Sequence, residues 1–342
     1  MRIIAAIGSN SSSKSQITKI ILSGANTLMY KFSYRSIKKN IELIKKSQNI
    51  IYGLNSEANV LIDLPNNKMR LGTFPEAYYP VEEGQELTLK CATESKNCSD
   101  FIPLNCNRLD DKVIKRQIAT IGDGAISIQI MDIVDKKTAK ILVLNNGHIR
   151  FNRSLNNNYL HSEKKLLDKY EKIKQVIEPI SPSYICVPYI DNNFSQQIKE
   201  FGFDSRPGTK IIAKIETELK MEEVEKICQD SFYSHIMIDR AELGVNMPFE
   251  KTAIYQKQIL KIATKNKKRV IIASHILPST MKNLTPSRAD IADLTNIVLD
   301  EADGIAFTYT TAAGFRPAYS IKTAKSIIKE TQKYKRKIGR KK

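Results

Sequence analysis

The chain has 342 residues, enough for one large domain and a smaller second one. Its hydrophobic fraction of 42% is ordinary for a globular protein, and no apolar run is long enough to cross a bilayer, so we expect no membrane partner. The net charge of +18 occurs without an aromatic-plus-basic binding motif, which favours small anionic substrates over nucleic acid. Five scattered cysteines without zinc-type spacing predict free thiols in a reducing, cytoplasmic compartment.

The first third of the chain alternates strand and helix patterns. The strand at 58–63 is almost continuously apolar, which is typical of a parallel strand covered on both faces. Strands are predicted at 2–7, 27–32 and 58–63, with an amphipathic helix after each of the first two.

The pattern changes between about residues 72 and 153. Short strand-like runs at 86–90, 124–133 and 138–143 are separated by turn signals such as Glu83-Gly84. This stretch predicts a small all-β insertion.

Strand and helix alternation resumes after the insertion and continues to residue 333. The total is eight strands, each followed by a helix, with one insertion after the third strand. We therefore predict a (β/α)₈ TIM barrel carrying a small all-β domain. An open doubly wound sheet is the alternative, disfavoured because no G-x-G-x-x-G follows the first strand. The later strands are predicted at 184–189, 211–215, 235–238, 269–274 and 304–307, and the later helices at 162–177, 194–201, 249–266, 287–299 and 321–333, with one more between 215 and 235.

One strand end carries two charges that could do chemistry. Lys214 and Glu216 are two residues apart, so on a strand they point to the same face. Ligands sit at the C-terminal ends of strands in barrels, and a cation beside a carboxylate suits a phosphate and a divalent metal. A solvated ion pair is the other interpretation.

Seven short motifs follow one another along the chain: Ile4-Ala-Ala-Ile-Gly-Ser9; Ser23-Gly24-Ala25-Asn26 with Phe32-Ser33; Asp63 with Arg70; Asp123-Gly124; Lys214-Ile-Glu216; Arg240-Ala-Glu-Leu-Gly244; and Ala273-Ser274 with Pro286-Ser-Arg-Ala289 and Val298-Leu-Asp300. In order and spacing they resemble the T-I-G-P, A-G-M-N…N-F-S-H-G, D-T-K-G-P-E-I-R, D-D-G, K-I-E-N, R-G-D-L-G and A-T-Q-M-L…P-T-R-A-E…A-V-L-D segments of pyruvate kinase. The resemblance covers nearly the whole chain.

The resemblance implies a division into domains. Residues 1–72 and 154–332 would form a discontinuous catalytic barrel, and 73–153 an inserted β domain that acts as a lid. In place of the family's C-terminal regulatory domain we expect only a basic tail at 333–342, and therefore no regulation by a sugar phosphate. Both a monomer and a homo-oligomer are compatible with the sequence.

The resemblance also implies catalytic roles. Lys214 would stabilise the transferring phosphoryl group and the enolate oxygen, while Arg70 would contact phosphate. Ser274 stands at the family's threonine near the proton-transfer site. Arg70 and Asp123 would lie at the nucleotide, ADP or ATP, with Asp123 near its metal.

The metal and substrate residues follow in the same way. Glu216 and Glu242 would ligate Mg²⁺ or Mn²⁺, with Glu242 in place of the family's aspartate. Arg240, Ala241, Glu242 and Ser274 would hold the substrate, phosphoenolpyruvate or pyruvate.

Several positions depart from the family pattern. Met29 replaces a phosphate-binding arginine, Ala241 replaces a glycine, and Asp239 places a carboxylate where a carboxylate substrate is expected. Lys68 resembles family members in which an ammonium replaces potassium, and Lys31 adds a second charge there. We therefore predict no K⁺ requirement. The monovalent-cation region comprises Lys31, Ser33, Asp63 and Lys68.

Three functions remain open. The chain is a glycolytic, Mg²⁺-dependent kinase that transfers phosphate between phosphoenolpyruvate and ADP to give pyruvate and ATP; or it acts on another phosphorylated or carboxylate substrate; or it is an inactive relative with a binding or regulatory role.

Overall fold

The computed structural model describes residues 1–66, 68–76, 78–109, 113–122, 124–156, 163–188, 190–204 and 207–339. The chain forms two compact units. The first comprises Met1–Asn66, Leu167–Leu243 and Glu250–Lys342, and the second Asn67–Leu166 and Gly244–Phe249. Within the described ranges, no helix has the length and apolar character to cross a membrane.

The chain begins with the first three strands of the first unit. The side chain of Ser13 accepts a hydrogen bond from the Gln16 backbone and starts the first helix, and Ser36 caps the second through Lys39 in the same way. The elements are β1 (Arg2–Ala6), α1 (Lys14–Leu22), β2 (Thr27–Lys31), α2 (Ile37–Gly53) and β3 (Asn59–Asp63).

The second unit contains the inserted β domain. Its strands form a six-stranded sheet, ordered β11-β7-β8-β9-β5-β6, and a two-stranded sheet of β10 with β4. Met69, Leu71 and Leu155 pack into its apolar core, and Arg70 bridges Ser154. Because these flanks belong to the β domain, its structural limits lie outside the predicted 73–153. The strands are β4 (Tyr79–Val81), β5 (Glu86–Cys91), β6 (Ile102–Leu104), β7 (Ile118–Ile121), β8 (Ile126–Asp135), β9 (Thr138–Val143), β10 (Gly147–Ile149) and β11 (Leu155–Asn156).

The rest of the chain adds five strands to the first unit. Two short helices that the sequence did not predict, Arg240–Leu243 and Tyr309–Ala312, begin within two residues of the preceding strand and lie at the strand ends where function was expected. The elements are α3 (Glu163–Ile177), β12 (Tyr184–Val187), α4 (Asn192–Glu200), β13 (Lys210–Ile215), α5 (Met221–Gln229), β14 (Tyr233–Asp239), α6 (Arg240–Leu243), α7 (Thr252–Lys265), β15 (Arg269–Ala273), α8 (Arg288–Leu299), β16 (Gly304–Phe307), α9 (Tyr309–Ala312) and α10 (Pro317–Gly339).

The eight strands of the first unit close into a parallel barrel in the order β1-β16-β15-β14-β13-β12-β3-β2, with β2 paired to β1. The predicted (β/α)₈ barrel is confirmed. A buried apolar layer fills its interior. Side chains alternate between the two faces of a strand, so residues two before and two after this layer also face inward. The layer includes Ile4, Met29, Leu61, Ile212, Met237 and Ile271.

The last helix is longer than predicted. It continues through residues 333–339, which were expected to form part of a separate basic tail. No proline or glycine interrupts the helical pattern before Gly339, and Lys333 pairs with Glu330 at 2.7 Å while Lys335 pairs with Glu301. The remaining three residues of that predicted tail lie outside the described ranges.

Candidate active site

Lys214 is the centre of a buried charge cluster at the C-terminal end of the barrel. Its Nζ lies 2.9 Å from Asp63 Oδ1, 3.1 Å from Glu216 Oε1 and 3.8 Å from Asp239 Oδ2. Lys214 is only 3% exposed and Glu216 only 1%. The interpretation of Lys214 and Glu216 as a solvated ion pair is therefore wrong, because both side chains are shielded from water.

The carboxylates determine the charge states in this cluster. Burial alone lowers the pKa of Lys214, but Asp63, Glu216 and Asp239 outweigh it and hold that pKa well above its ordinary value. Burial raises the pKa of Glu216, Glu242 and Asp239 raise it further, and Lys214 opposes them. Lys214 therefore stays charged, and a further cation beside Glu216 would stabilise the ionised form of that carboxyl group.

The two predicted metal ligands are suited to a shared, partial metal site. Glu242 lies in α6, half-buried, and acts electrostatically on Glu216. Within the described ranges, no three His, Cys, Asp or Glu side chains gather as a metal-binding group. Mg²⁺ commonly takes one or two carboxylates and completes its shell with water and substrate phosphate. Glu216 and Glu242 therefore fit the divalent ion that the sequence predicts.

A second lysine stands on the other side of Asp63. Lys31 Nζ lies 3.7 Å from Asp63 Oδ2, while Lys214 contacts Oδ1 of the same carboxylate. Burial lowers the pKa of Lys31, but Asp63 and Asp239 more than compensate and raise it. Ser33 follows in the half-buried turn directly after β2. Three of the four predicted monovalent-cation residues thus lie at or just after the ends of two neighbouring strands, β2 and β3.

Ser274 is held by hydroxyl and carboxylate contacts immediately after β15. Its Oγ donates to Asp239 Oδ1 at 2.5 Å, and Thr308 Oγ1 donates to Ser274 Oγ at 3.2 Å. Ser274 and the next residue, His275, both have left-handed backbone angles, with φ of 68° and 55°. Such conformations are costly for residues other than glycine and are concentrated at functional sites.

Arg240 is directed away from Asp239. Its Nη1 and Nη2 donate to the two carboxylate oxygens of Asp293 at 2.7 and 3.0 Å, and its Nε donates to the Ser274 carbonyl at 3.1 Å. This occupied guanidinium ties β14 to the loop after β15. These contacts give Arg240 a positioning role, and its predicted substrate contact stays a prediction. Ala241 follows as the second residue of α6.

The other predicted residues belong to the second unit. There Arg70 Nη1 donates to the Asn152 carbonyl at 3.2 Å, and Lys68 Nζ donates to Asn156 Oδ1 at 2.7 Å. Asn156 is buried and was missed, since it is the first of three consecutive asparagines and such a polar run does not indicate that one of its members is buried. Asp123 lies outside the described residues.

Sequence reasoning also missed two partners within the barrel. Asp293 meets Arg240 across 53 positions, and Thr308 meets Ser274 across 34. Contacts at such separation leave no local pattern. The only available signal was the position of Thr308, directly after a predicted strand, where barrel function concentrates.

The fold and the charge cluster define a class of (β/α)₈-barrel proteins with an all-β domain inserted after the third strand. Residues 1–321 match the family model for the barrel domain of pyruvate kinase. The chain belongs to the pyruvate kinase family.

Relatives of known identity agree with this assignment. The chain is 28% identical to pyruvate kinase of Thermotoga maritima, a match that covers 97% of this chain and 71% of the relative. It is 27% identical to pyruvate kinase of Thermococcus litoralis, covering 99% and 71%. The crystal structure of Cryptosporidium parvum pyruvate kinase superposes with a TM-score of 0.83 at 21% identity, covering 97% of this chain and 70% of that one. This last match concerns the fold.

Proposed function

We propose that this protein is a phosphotransferase that moves a phosphoryl group between phosphoenolpyruvate and ADP, giving pyruvate and ATP. The observation that carries the proposal is the burial of Lys214 among Asp63, Glu216 and Asp239 at the C-terminal end of the barrel. A fixed ammonium at that end of a barrel suits a reaction whose catalysis rests on positioned charge.

In this reaction a terminal phosphate oxygen of ADP forms a bond to phosphorus as the bond from phosphorus to the enol oxygen breaks. The enolate then takes a proton at carbon and becomes pyruvate. Lys214 stabilises the negative charge that spreads over the phosphoryl and enolate oxygens. Ser274 has its hydroxyl in a hydrogen-bonded chain with Thr308 and Asp239, which fixes its orientation, and we assign it to the proton transfer.

Mg²⁺ or Mn²⁺ would be held by Glu216 and Glu242 and, when bound, would neutralise phosphate charge. The pKa of Glu216, raised by burial and by neighbouring carboxylates, supports this assignment, since a divalent cation there would relieve the repulsion.

The proposed enzyme works without potassium. Lys31 places an ammonium 3.7 Å from Asp63, so a monovalent positive charge is built into the chain at that carboxylate. Lys68, in the second unit, donates a hydrogen bond to Asn156.

A second candidate is transfer to or from a different phosphorylated substrate. Met29 is buried in the apolar layer, where it replaces an expected arginine, and Asp239 points a carboxylate at Lys214 and Ser274. A substrate carboxylate would be repelled by Asp239 unless a cation intervenes. A substrate with a hydroxyl or carbonyl in place of the carboxylate avoids that repulsion.

The cellular setting that goes with the proposal is glycolysis in the cytoplasm. The free thiols of Cys98, Cys186 and Cys228 are buried, which supports a reducing compartment.

The test is a coupled assay of pyruvate formation from phosphoenolpyruvate and ADP with Mg²⁺ or Mn²⁺, in K⁺ and in a K⁺-free tetramethylammonium buffer. We expect turnover in both buffers. Lys214→Ala should abolish it, while Lys226→Ala, an exposed lysine on α5, should leave it unchanged.

Each other outcome is informative. Turnover only in K⁺ would disprove the role given to Lys31. An absence of turnover in folded protein that still binds Mn²⁺ would reject phosphoenolpyruvate and favour the second candidate.

A further inference from the structure

The N-terminal end of the barrel contains a cleft of about 310 Å³. It lies at the opposite end of the strands from Lys214, with the apolar layer in between. The cleft is lined by Arg2, Asn26, His235, Arg269 and Asp303, among others. None of these residues takes part in the proposed phosphoryl transfer.

His235 lines this cleft. The residue is 2% exposed, and its Nδ1 lies 2.8 Å from Ser234 Oγ. Ser234 uses its single hydroxyl hydrogen on the Ile211 carbonyl at 2.9 Å, so Oγ must accept from His235 Nδ1–H. In the neutral ring Nε2 then carries a lone pair, and this nitrogen has no hydrogen-bond partner among the described residues.

Three cationic side chains act on His235. Arg2 stacks on the Tyr184 ring, with its guanidinium carbon 4.4 Å from the ring centroid, and its buried Nη1 has no hydrogen-bond partner within the described ranges. Burial, followed by Arg2, Arg269 and Lys210, lowers the pKa of His235 to about 4. A metal cation is disfavoured at Nε2 because these three positive side chains repel it.

The acidic side chain at the cleft is only partly available to balance this charge. Asp303 Oδ2 accepts a hydrogen bond from the Val270 backbone at 2.8 Å. The single negative charge of Asp303 does not balance the three positive charges of Arg2, Lys210 and Arg269. A small anion bound in the cleft would neutralise the remainder.

We propose that this cleft binds a hydrogen phosphate ion. Two of its oxygens accept hydrogen bonds from Arg2 and Arg269, and its P–OH group donates to His235 Nε2. Guanidinium groups match phosphate oxygens in geometry and charge. The cleft has room for the ion and for ordered water.

The tautomer of His235 makes the site selective among anions. Sulfate has the shape and charge of phosphate but no hydrogen at neutral pH, so its oxygen would meet the lone pair of Nε2. Sulfate could bind well only if His235 were protonated, and the surrounding Arg2, Lys210 and Arg269 oppose that. Phosphate therefore binds more tightly than sulfate at neutral pH. The difference in affinity between the two anions becomes smaller toward pH 5, because protonation of His235 becomes easier.

The experiment is NMR of the full-length protein with labelled histidine rings, because the chain has only four histidines and His235→Gln assigns the signal. Inorganic phosphate is titrated at pH 7.5 and sulfate is titrated in parallel. The reporter is the His235 ring itself, so phosphate bound near Lys214 does not contribute.

We expect a saturable shift of the His235 ring with phosphate, while Nε2 stays unprotonated. Sulfate should need at least about tenfold more ion for half-saturation at pH 7.5, and Arg269→Gln should raise the phosphate requirement by about tenfold. Arg269→Lys, which keeps the charge and loses the fork, should fall between. Lys322→Gln removes an equal charge from an exposed position on α10 and should change nothing.

Three results would overturn the proposal: a His235 ring that phosphate does not shift, equal half-saturation by sulfate and phosphate at pH 7.5, or equal weakening by Lys322→Gln and Arg269→Gln. Arg269 is exposed, and thermal unfolding of each variant identifies any loss of fold.

Discussion

The two ends of the barrel are built from the same alternation of side chains but differ in how their charges are balanced. At the C-terminal end, Lys31 and Lys214 face Asp63, Glu216 and Asp239, so each buried charge has an opposite partner. At the N-terminal end, Arg2, Lys210 and Arg269 surround a neutral His235. The C-terminal end thus pairs its lysines with carboxylates, whereas the N-terminal end has an excess of positive side chains that an anion would balance.

The difference shows what burial does to a titratable group. Carboxylates near Lys214 outweigh the cost of burial and keep its ammonium charged. His235 has no such partner. Burial and its cationic neighbours both lower its pKa, so the ring is neutral. Stability should therefore fall by a different mechanism at each end. At the C-terminal end the cause is the removal of Lys214 from its carboxylates, and at the N-terminal end it is the protonation of His235.

The largest effect is expected from Lys214→Met. It leaves Asp63 and Glu216 buried without their cation, which should lower the free energy of unfolding by about 3–5 kcal/mol. Activity should fall by at least about 10³-fold. Urea denaturation measures the first and the coupled assay the second. Lys226→Met is the matched control, and equal stability of the two variants would show that the cluster contributes nothing.

The next largest effect concerns pH. His235 has a pKa of about 4 in the folded protein against 6.5 ordinarily. Between these values the unfolded chain binds a proton that the folded chain does not, so the contribution of His235 to stability is full above pH 6.5, falls as pH drops toward 4, and then levels. The loss should be about 3 kcal/mol.

The difference in free energy of unfolding between the wild type and His235→Gln should show that slope across this pH range, because Glu216, whose raised pKa gives the opposite slope, is present in both proteins. His148→Gln, at an exposed position of the second unit, serves as control. A difference that does not change with pH would assign the slope to other groups.

The smallest effect concerns the link between strand ends at the C-terminal side. A double-mutant cycle of Arg240→Met and Asp293→Leu should give a coupling energy of about 1–2 kcal/mol, since the pair is bidentate and half-buried. The exposed pair of Lys257 and Asp300 should give less, about 0.5 kcal/mol. Equal couplings would mean that Arg240 does not fix the loop after β15.

The fold was predictable because its signals are local. Apolar strands, helix caps and turn pairs identified the eight barrel strands and the insertion, and Lys214 and Glu216 were correctly placed on one face. Asp63 could not be linked to Lys214 by any pattern, because 151 positions separate them and only barrel closure brings them together.

The N-terminal cleft was missed for a related reason. In the sequence His235 is an isolated histidine, and it gains significance only when the strand register sets it beside Arg269. The substrate contact expected of Arg240 came from the resemblance of Arg240-Ala-Glu-Leu-Gly244 to the family's R-G-D-L-G segment. The structure shows its guanidinium bound to Asp293, on a helix that follows the next strand.

The apolar layer between the ends has its own consequence. Along β14, His235 and Asp239 are four residues apart, roughly 13 Å on an extended strand. Met237 lies between them and is almost fully buried. The layer keeps the two charged ends this far apart, and the effects of changes at sites with such a separation usually add. Substitutions at one end of this barrel could therefore be selected without changing the binding properties of the other end, so that the two ends could evolve independently.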